Sequence, residues 1–125
     1  MSNNLIGTIK NSEIEVIATA MLEKKAQGVC AMDLRKPGAS ICDHFVLCNA
    51  DSTPQVVAIT DYVIEMMYKQ CQRSPRCSQG RENAFWVIID YIDIVVHIFK
   101  TEYRVFYRLE ELWADAEMKR FNEAP

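Results

Sequence analysis

Four aspartates lie at or near the ends of predicted strands, a pattern that could support metal-dependent chemistry: Asp33, Asp43, Asp90 and Asp93. Nucleotidyltransferases gather aspartates at such positions to hold two magnesium ions against a triphosphate. These enzymes also need a Gly-Ser turn that grips the phosphates, and residues 34–40 do not supply both features in the right order. We therefore expect no catalytic or metal-binding residues, and we keep a magnesium-dependent nucleotidyltransferase using Asp33, Asp90 or Asp93 as the enzyme alternative. The structural interpretation is that Asp33 closes a strand while Asp90 and Asp93 cap a turn.

Imidazole chemistry has few candidates, because the chain contains only His44 and His97. His97 lies in a strand pattern, and strand alternation puts it on the face opposite Val96 and Ile98. It could be a hydrogen-bonded histidine within the sheet, which the sequence alone favours, or a residue on a binding face. The chain has no Gly-rich phosphate loop, nucleophile elbow or paired-histidine metal helix, so we expect no cofactor.

Two aromatic residues at opposite ends of a predicted strand are candidates for a protein interface. Trp86 begins the strand, and Tyr91 lies at the following turn, where we expect it to be exposed. Aromatic residues that cannot all be buried often mark interfaces. Trp86 could instead pack in the core, and composition alone does not decide between the two.

Length and composition favour one globular domain over residues 1–125, with its folded core at about 12–118. Half of the 125 residues are hydrophobic, which is enough for one well-filled core. With 14 basic and 17 acidic residues the net charge is −3, and no basic tail is present, so direct sequence-specific binding of nucleic acid is not expected. The first residues do not resemble a leader, and no apolar stretch is long enough to cross a membrane, which predicts a cytoplasmic protein.

Periodicity and capping signals predict an α/β fold with a mixed sheet of about five strands flanked by helices. Capping-box pairs occur at Ser12 with Glu15 and at Ser52 with Gln55. The first half of the chain is predicted to form a helix from Ser12 until Gly28, strands Val29–Leu34 and Phe45–Cys48, and a helix from Ser52 to about Gln70. A short edge strand around Arg76–Ser78 and a hairpin of Phe85–Ile89 and Ile94–Phe99 follow. After a turn capped by Thr101, a final helix is predicted with Leu109, Leu112, Trp113 and Ala116 on its inner face.

The predicted hairpin resembles the signature of the ribosomal silencing factor family, also called Iojap-like proteins. The resemblance is carried by Trp86-Val87-Ile88-Ile89-Asp90-Tyr91, followed by Asp93-Ile94-Val95-Val96-His97-Ile98-Phe99. It extends from about Ser12 to Asp115. One position departs from the family pattern, since many members have glycine in the turn where this chain has Ile92, and a β-branched residue resists positive φ.

The resemblance implies a nucleotidyltransferase-like fold without the catalytic motif. It also implies binding to the large ribosomal subunit through ribosomal protein uL-fourteen, steric obstruction of small-subunit joining, and a homodimer in the free state. A role in large-subunit assembly is the alternative. The residues that match the part of the motif expected at the partner surface are Trp86, Asp90, Tyr91 and Asp93, with His97 and Tyr107 as weaker candidates. The aspartates among them would meet basic ribosomal side chains.

Overall fold

The computed structural model describes residues 12–35, 42–107 and 117–121 of the chain. Their elements are α1 (Ser12–Glu23), β1 (Gln27–Asp33), β2 (His44–Ala50), α2 (Thr53–Cys71), β3 (Cys77–Gln79), β4 (Trp86–Asp90), β5 (Ile94–Lys100), α3 (Thr101–Tyr107) and β6 (Glu117–Arg120). The predicted inner face of the final helix, from Leu109 to Ala116, lies outside the described residues. No helix in the described ranges is long and apolar enough to cross a bilayer.

The strands form one mixed sheet in the order β3-β4-β5-β2-β1-β6. Strands β2 and β5 are parallel, and every other neighbouring pair is antiparallel. This confirms the predicted α/β class with helices flanking a mixed sheet. The described sheet has six strands rather than about five, because the sequence analysis missed β6, which pairs antiparallel with β1.

The two faces of the sheet bury separate apolar clusters. Helices α1 and α2 pack against the first face, where they meet Val46 of β2 and Val96 of β5. The second face carries Phe45 and Leu47 of β2 and Phe99 of β5. Because successive strand residues point to opposite faces, a strand covered on both sides must be apolar throughout, and β2 is buried at all seven positions.

Helix α1 ends at Glu23, so the predicted end at Gly28 is wrong. The chain leaves the helix at Lys25, whose φ of 63° is left-handed, and the amide of Ala26 donates to the carbonyl of Met21 at 3.0 Å. Gly28 lies instead at an irregularity in β1, with a φ of 59°. A Cβ atom there would come within 2.5 Å of the Arg104 guanidinium, so this glycine makes room for α3.

Helix α2 begins with the predicted cap, since the Ser52 hydroxyl accepts a hydrogen bond from the amide of Gln55 at 3.3 Å. In the other half of the predicted capping box, the Gln55 side chain would accept a hydrogen bond from the backbone amide of Ser52, and this prediction is wrong. The Gln55 amide nitrogen donates to the carbonyls of Lys24 and Lys25, each at 3.2 Å. The side chain therefore satisfies backbone acceptors at the end of α1 and ties the two helices together.

Helix α3 is attached to the sheet by the buried side chain of Arg104. Its guanidinium donates to the Gly28 carbonyl at 2.6 Å, to the Asn49 side-chain oxygen at 2.8 Å, and to the sulfur of Cys30 at 3.4 Å. The Asn49 amide in turn donates to the hydroxyl of Thr101 at 2.9 Å. This network fixes the start of α3 at the end of the parallel strand pair opposite the β4–β5 turn.

Candidate functional site

The β4–β5 hairpin carries five of the six residues predicted for a partner surface, and it separates them into two groups. Residues Trp86 and His97 form a strand group, whereas Asp90, Tyr91 and Asp93 form a turn group. The four residue steps of β4 between the two groups span about 13 Å. The hairpin therefore brings together the members of each group but holds the two groups apart.

In the strand group, the indole nitrogen of Trp86 donates to Nδ1 of His97 at 3.0 Å. The Trp86 ring stacks on Phe99, with a distance of 5.2 Å between ring centroids. The indole is half-buried and packs against the apolar cluster on the second face of the sheet. Trp86 therefore combines a packing role with an accessible portion of its ring.

His97 is 5% exposed, as expected for a histidine held within the sheet. Because Nδ1 accepts a hydrogen bond, the neutral ring carries its proton on Nε2, which has no hydrogen-bond partner among the described residues. Burial lowers the pKa of His97 to about 4, since a charged imidazole would lose its hydration there. The ring is therefore neutral at physiological pH and supports Trp86 as a hydrogen-bond acceptor.

Tyr91 is 1% exposed, so the prediction that it is exposed on the turn is wrong. Its ring belongs to the apolar cluster beneath α1 and α2, and the guanidinium of Arg73 lies 5.5 Å from its ring centroid. Burial raises the pKa of Tyr91 to about 12. Val87 and Ile89 of β4 belong to the same cluster, so Tyr91 continues the alternation of the strand towards that face.

Arg73, which follows the end of α2, fixes the hairpin turn to the helices. Its guanidinium donates to the Tyr91 carbonyl at 2.5 Å, to the Asp93 carboxylate at 2.8 Å, and to the Glu13 carboxylate at 2.6 Å. Burial opposes ionisation of Asp93, but the hydrogen bond from Arg73, a backbone hydrogen bond and the nearby positive charge together outweigh it, and the pKa of Asp93 is lowered. The sequence analysis did not single out Arg73, because its partners are remote in the sequence.

The second carboxylate of the turn group is also paired within the chain. Asp90 forms an ion pair with Arg76, and its other oxygen accepts the amide of Ile92 at 2.7 Å. The hydrogen bond from Arg76 lowers the pKa of Asp90, which is ionised at physiological pH. Asp90 and Asp93 thus already have cationic partners within the chain. Their contact with basic ribosomal side chains stays a prediction.

Asp33 is likewise paired with an arginine of the same chain. It accepts hydrogen bonds from the Arg35 guanidinium at 2.7 and 2.9 Å and from the Arg35 amide at 3.0 Å. These bonds hold the pKa of Asp33 at about 2. In the parts of the chain that the structure describes, no three histidine, cysteine or acidic side chains are grouped as metal ligands. Asp33, Asp90 and Asp93 are each paired with an arginine, which a magnesium ion would have to share or displace.

Tyr107 is the final residue of α3, and its side chain lies outside the described part of the structure. Its predicted role at a partner surface is therefore not tested by the geometry.

Replacing Arg73 with methionine is expected to lower the free energy of unfolding by about 1–2 kcal/mol, because a carbonyl and two carboxylates lose a charged donor. Solvent limits the loss, since the side chains of Glu13 and Asp93 are 27% and 43% exposed. Equilibrium urea denaturation measures the effect. Lys69→Met is the matched control, because Lys69 pairs with Glu65 on the exposed surface of α2 and should change stability by less than about 0.5 kcal/mol. Equal losses in the two variants would contradict the anchoring role of Arg73.

Known proteins resemble this chain along most of its length. A family model described as "Ribosomal silencing factor during starvation" matches residues 8–125. The chain is 37% identical over 110 residues to a ribosomal silencing factor of Halalkalibacterium halodurans, covering 86% of this chain and 92% of that protein. It is 27% identical over 104 residues to a mouse protein named mitochondrial assembly of ribosomal large subunit protein 1, covering 81% of this chain and 45% of that protein.

A crystal structure of a Chromobacterium violaceum protein has the same fold. It superposes with a TM-score of 0.77 at 27% sequence identity, covering 85% of this chain and 88% of that one. The β4–β5 hairpin, the mixed sheet and these similarities lead to one assignment: the chain belongs to the ribosomal silencing factor family.

Proposed function

We propose that this protein represses translation by binding the large ribosomal subunit through ribosomal protein uL-fourteen and sterically blocking association with the small subunit. Family membership supports a ribosome-associated role in silencing or assembly. The observation that carries the proposal is that residues 86–99, which match the family's signature, form a hairpin with a row of accessible side chains on one face. A steric mechanism needs such a surface and needs no cofactor or catalytic group.

The row of side chains runs along β4 and continues into the turn. Trp86, Ile88 and Asp90 are half-buried on the same face of the strand, and Ile92 and Asp93 follow at the turn. We call these five residues the hairpin surface. Its combination of an aromatic residue, aliphatic residues and charges is typical of protein interfaces.

The remaining predicted residues have supporting roles in this proposal. Tyr91 and His97 are buried, so they hold the turn and Trp86 in position rather than contact the partner directly. We retain Tyr107 as a further contact residue on the strength of the sequence match alone. The net charge of −3 and the pairing of Asp90 and Asp93 with arginines favour a protein partner over bare nucleic acid.

Sucrose-gradient cosedimentation of the purified protein with separated large subunits, small subunits and joined ribosomes tests the proposal. We expect selective comigration with large subunits and competition by purified uL-fourteen. Absence of the protein from the large-subunit fraction would contradict the proposed partner.

A role in large-subunit assembly is the second candidate, and the name of the mouse relative favours it. The two roles share the hairpin surface and differ in when binding occurs. Gradients of extracts from cells lacking the protein separate them. A defect in assembly would leave incomplete large-subunit particles, whereas a defect in repression alone would leave mature subunits and an excess of joined ribosomes in starved cells.

We also propose that the free protein is a cytoplasmic homodimer. Strand β3 is an edge strand whose three residues are exposed, and its outer backbone groups could pair with a second copy. Sedimentation velocity at micromolar concentration distinguishes a monomer from a homodimer. A monomer throughout the concentration range would contradict this part of the proposal.

A further inference from the structure

Ile92 occupies an unusual backbone conformation at the tip of the hairpin. Its φ is 78°, and the amide of Asp93 donates to the carbonyl of Tyr91 at 3.0 Å, which closes a three-residue γ-turn around Ile92. Positive φ is uncommon for any residue with a side chain and is strained for a β-branched one. Glycine or asparagine would adopt this conformation at a lower cost.

Contacts on both sides hold the turn in this conformation. The amide of Ile92 donates to the Asp90 carboxylate at 2.7 Å, and Arg73 binds both the Tyr91 carbonyl and the Asp93 carboxylate. The amide of Tyr91 donates to the Ile94 carbonyl at 2.8 Å. The turn is therefore preorganised, and little conformational freedom is lost if its tip is covered by a partner.

The Ile92 side chain contributes little to the fold, because it is 63% exposed. A strained backbone that displays an apolar side chain in water is unfavourable in the isolated protein. A complex that buries the side chain offsets this cost, since burying an isoleucine removes its apolar surface from water. Ile92 lies two residues after the end of β4, the strand that carries Trp86, Ile88 and Asp90, and so adds an exposed apolar side chain at the tip of the hairpin.

We propose that Ile92 is the apolar anchor of the hairpin surface and inserts into an apolar socket on a protein of the large ribosomal subunit. This inference rests on the proposed function and adds one apolar contact to the hairpin surface. A protein socket fits better than RNA, because an isoleucine can neither stack on a base like an aromatic ring nor hydrogen-bond its edge. The nearby cations of Arg73 and Arg76 are each paired with a carboxylate, which leaves little positive charge for phosphate.

Three variants of the full chain, Ile92→Gly, Ile92→Asn and Ile92→Leu, separate the anchor from the fold. Glycine and asparagine tolerate the positive φ, so we expect thermal stability equal to or above that of the parent. Both should bind purified large subunits about tenfold or more weakly, because the apolar contact is lost. Leucine keeps an apolar side chain and should bind within about threefold of the parent. Ile92→Asn also controls for the added flexibility of glycine.

Binding is measured by cosedimentation over a range of subunit concentrations, with protein-free large-subunit RNA as a second probe. Undiminished binding of the glycine variant, or equally weak binding of the leucine and asparagine variants, would overturn the anchor role while leaving the proposed function intact. Parent protein that fails to bind large subunits would overturn both. Binding to the bare RNA as tight as to the subunit would overturn the protein socket.

Discussion

Trp86→Ala is expected to lower the free energy of unfolding by about 3 kcal/mol, near the lower end of the range for removing a large aromatic side chain from a core. The indole is half-buried, stacks on Phe99 and packs against the second apolar cluster, so alanine would leave a cavity there. The change also removes the hydrogen bond to Nδ1 of the buried His97. Urea denaturation at neutral pH measures the loss.

Trp86→Phe is the matched variant, because phenylalanine keeps a ring that can stack on Phe99 but cannot donate a hydrogen bond. We expect it to lose roughly half as much stability as the alanine variant. If the phenylalanine variant is folded at the assay temperature and binds large subunits poorly, the indole itself contacts the partner. If Trp86→Ala is as stable as the parent, the packing role assigned to Trp86 is wrong.

Acidification is expected to destabilise the protein through His97. The folded protein holds its pKa at about 4, whereas the same imidazole in the unfolded chain titrates near its usual pKa of 6.5. The unfolded state therefore binds more protons between these values. The stability present above pH 6.5 is lost as the pH falls towards 4, which amounts to about 2 kcal/mol between pH 7 and pH 5.

His97→Gln isolates this contribution, because glutamine does not titrate and its carbonyl oxygen can still accept a hydrogen bond from Trp86. Burial also lowers the pKa of His44, but that residue is present in both proteins. Between pH 7 and pH 5, the free energy of unfolding of the parent should fall by about 2 kcal/mol more than that of the variant, as measured by urea denaturation. The same pH dependence in both proteins would show that His97 does not titrate as a buried group.

The helices and strands with a strong signal in their own residues were predicted from the sequence. The runs Trp86–Asp90 and Ile94–Lys100 are rich in β-branched and aromatic residues, and both are strands. Helix α2 follows from the Ser52 cap and the apolar stripe behind it. Strand β6, in contrast, consists of Glu117-Met118-Lys119-Arg120, whose composition carries no strand signal; its strand structure depends on pairing with β1.

The candidate site was predictable in position but not in detail. The motif pointed to the hairpin, yet Tyr91 is buried because it packs in the apolar cluster with α1 and α2, which are remote from it in the sequence. The pairing of Asp93 with Arg73 and of Asp90 with Arg76 was not predicted either, because these partners are remote in the sequence. The Ile92 position was visible in the sequence as a departure from glycine, and its φ of 78° confirms that the turn keeps the conformation that glycine favours.

The most direct test of the central claim is the rate and extent of subunit joining, followed by light scattering after purified protein is added to large subunits before small subunits. The account predicts fewer joined ribosomes as the protein approaches saturation, with a much weaker effect from Ile92→Gly at the same concentration. Normal joining by large subunits that demonstrably carry the bound protein would contradict steric blocking.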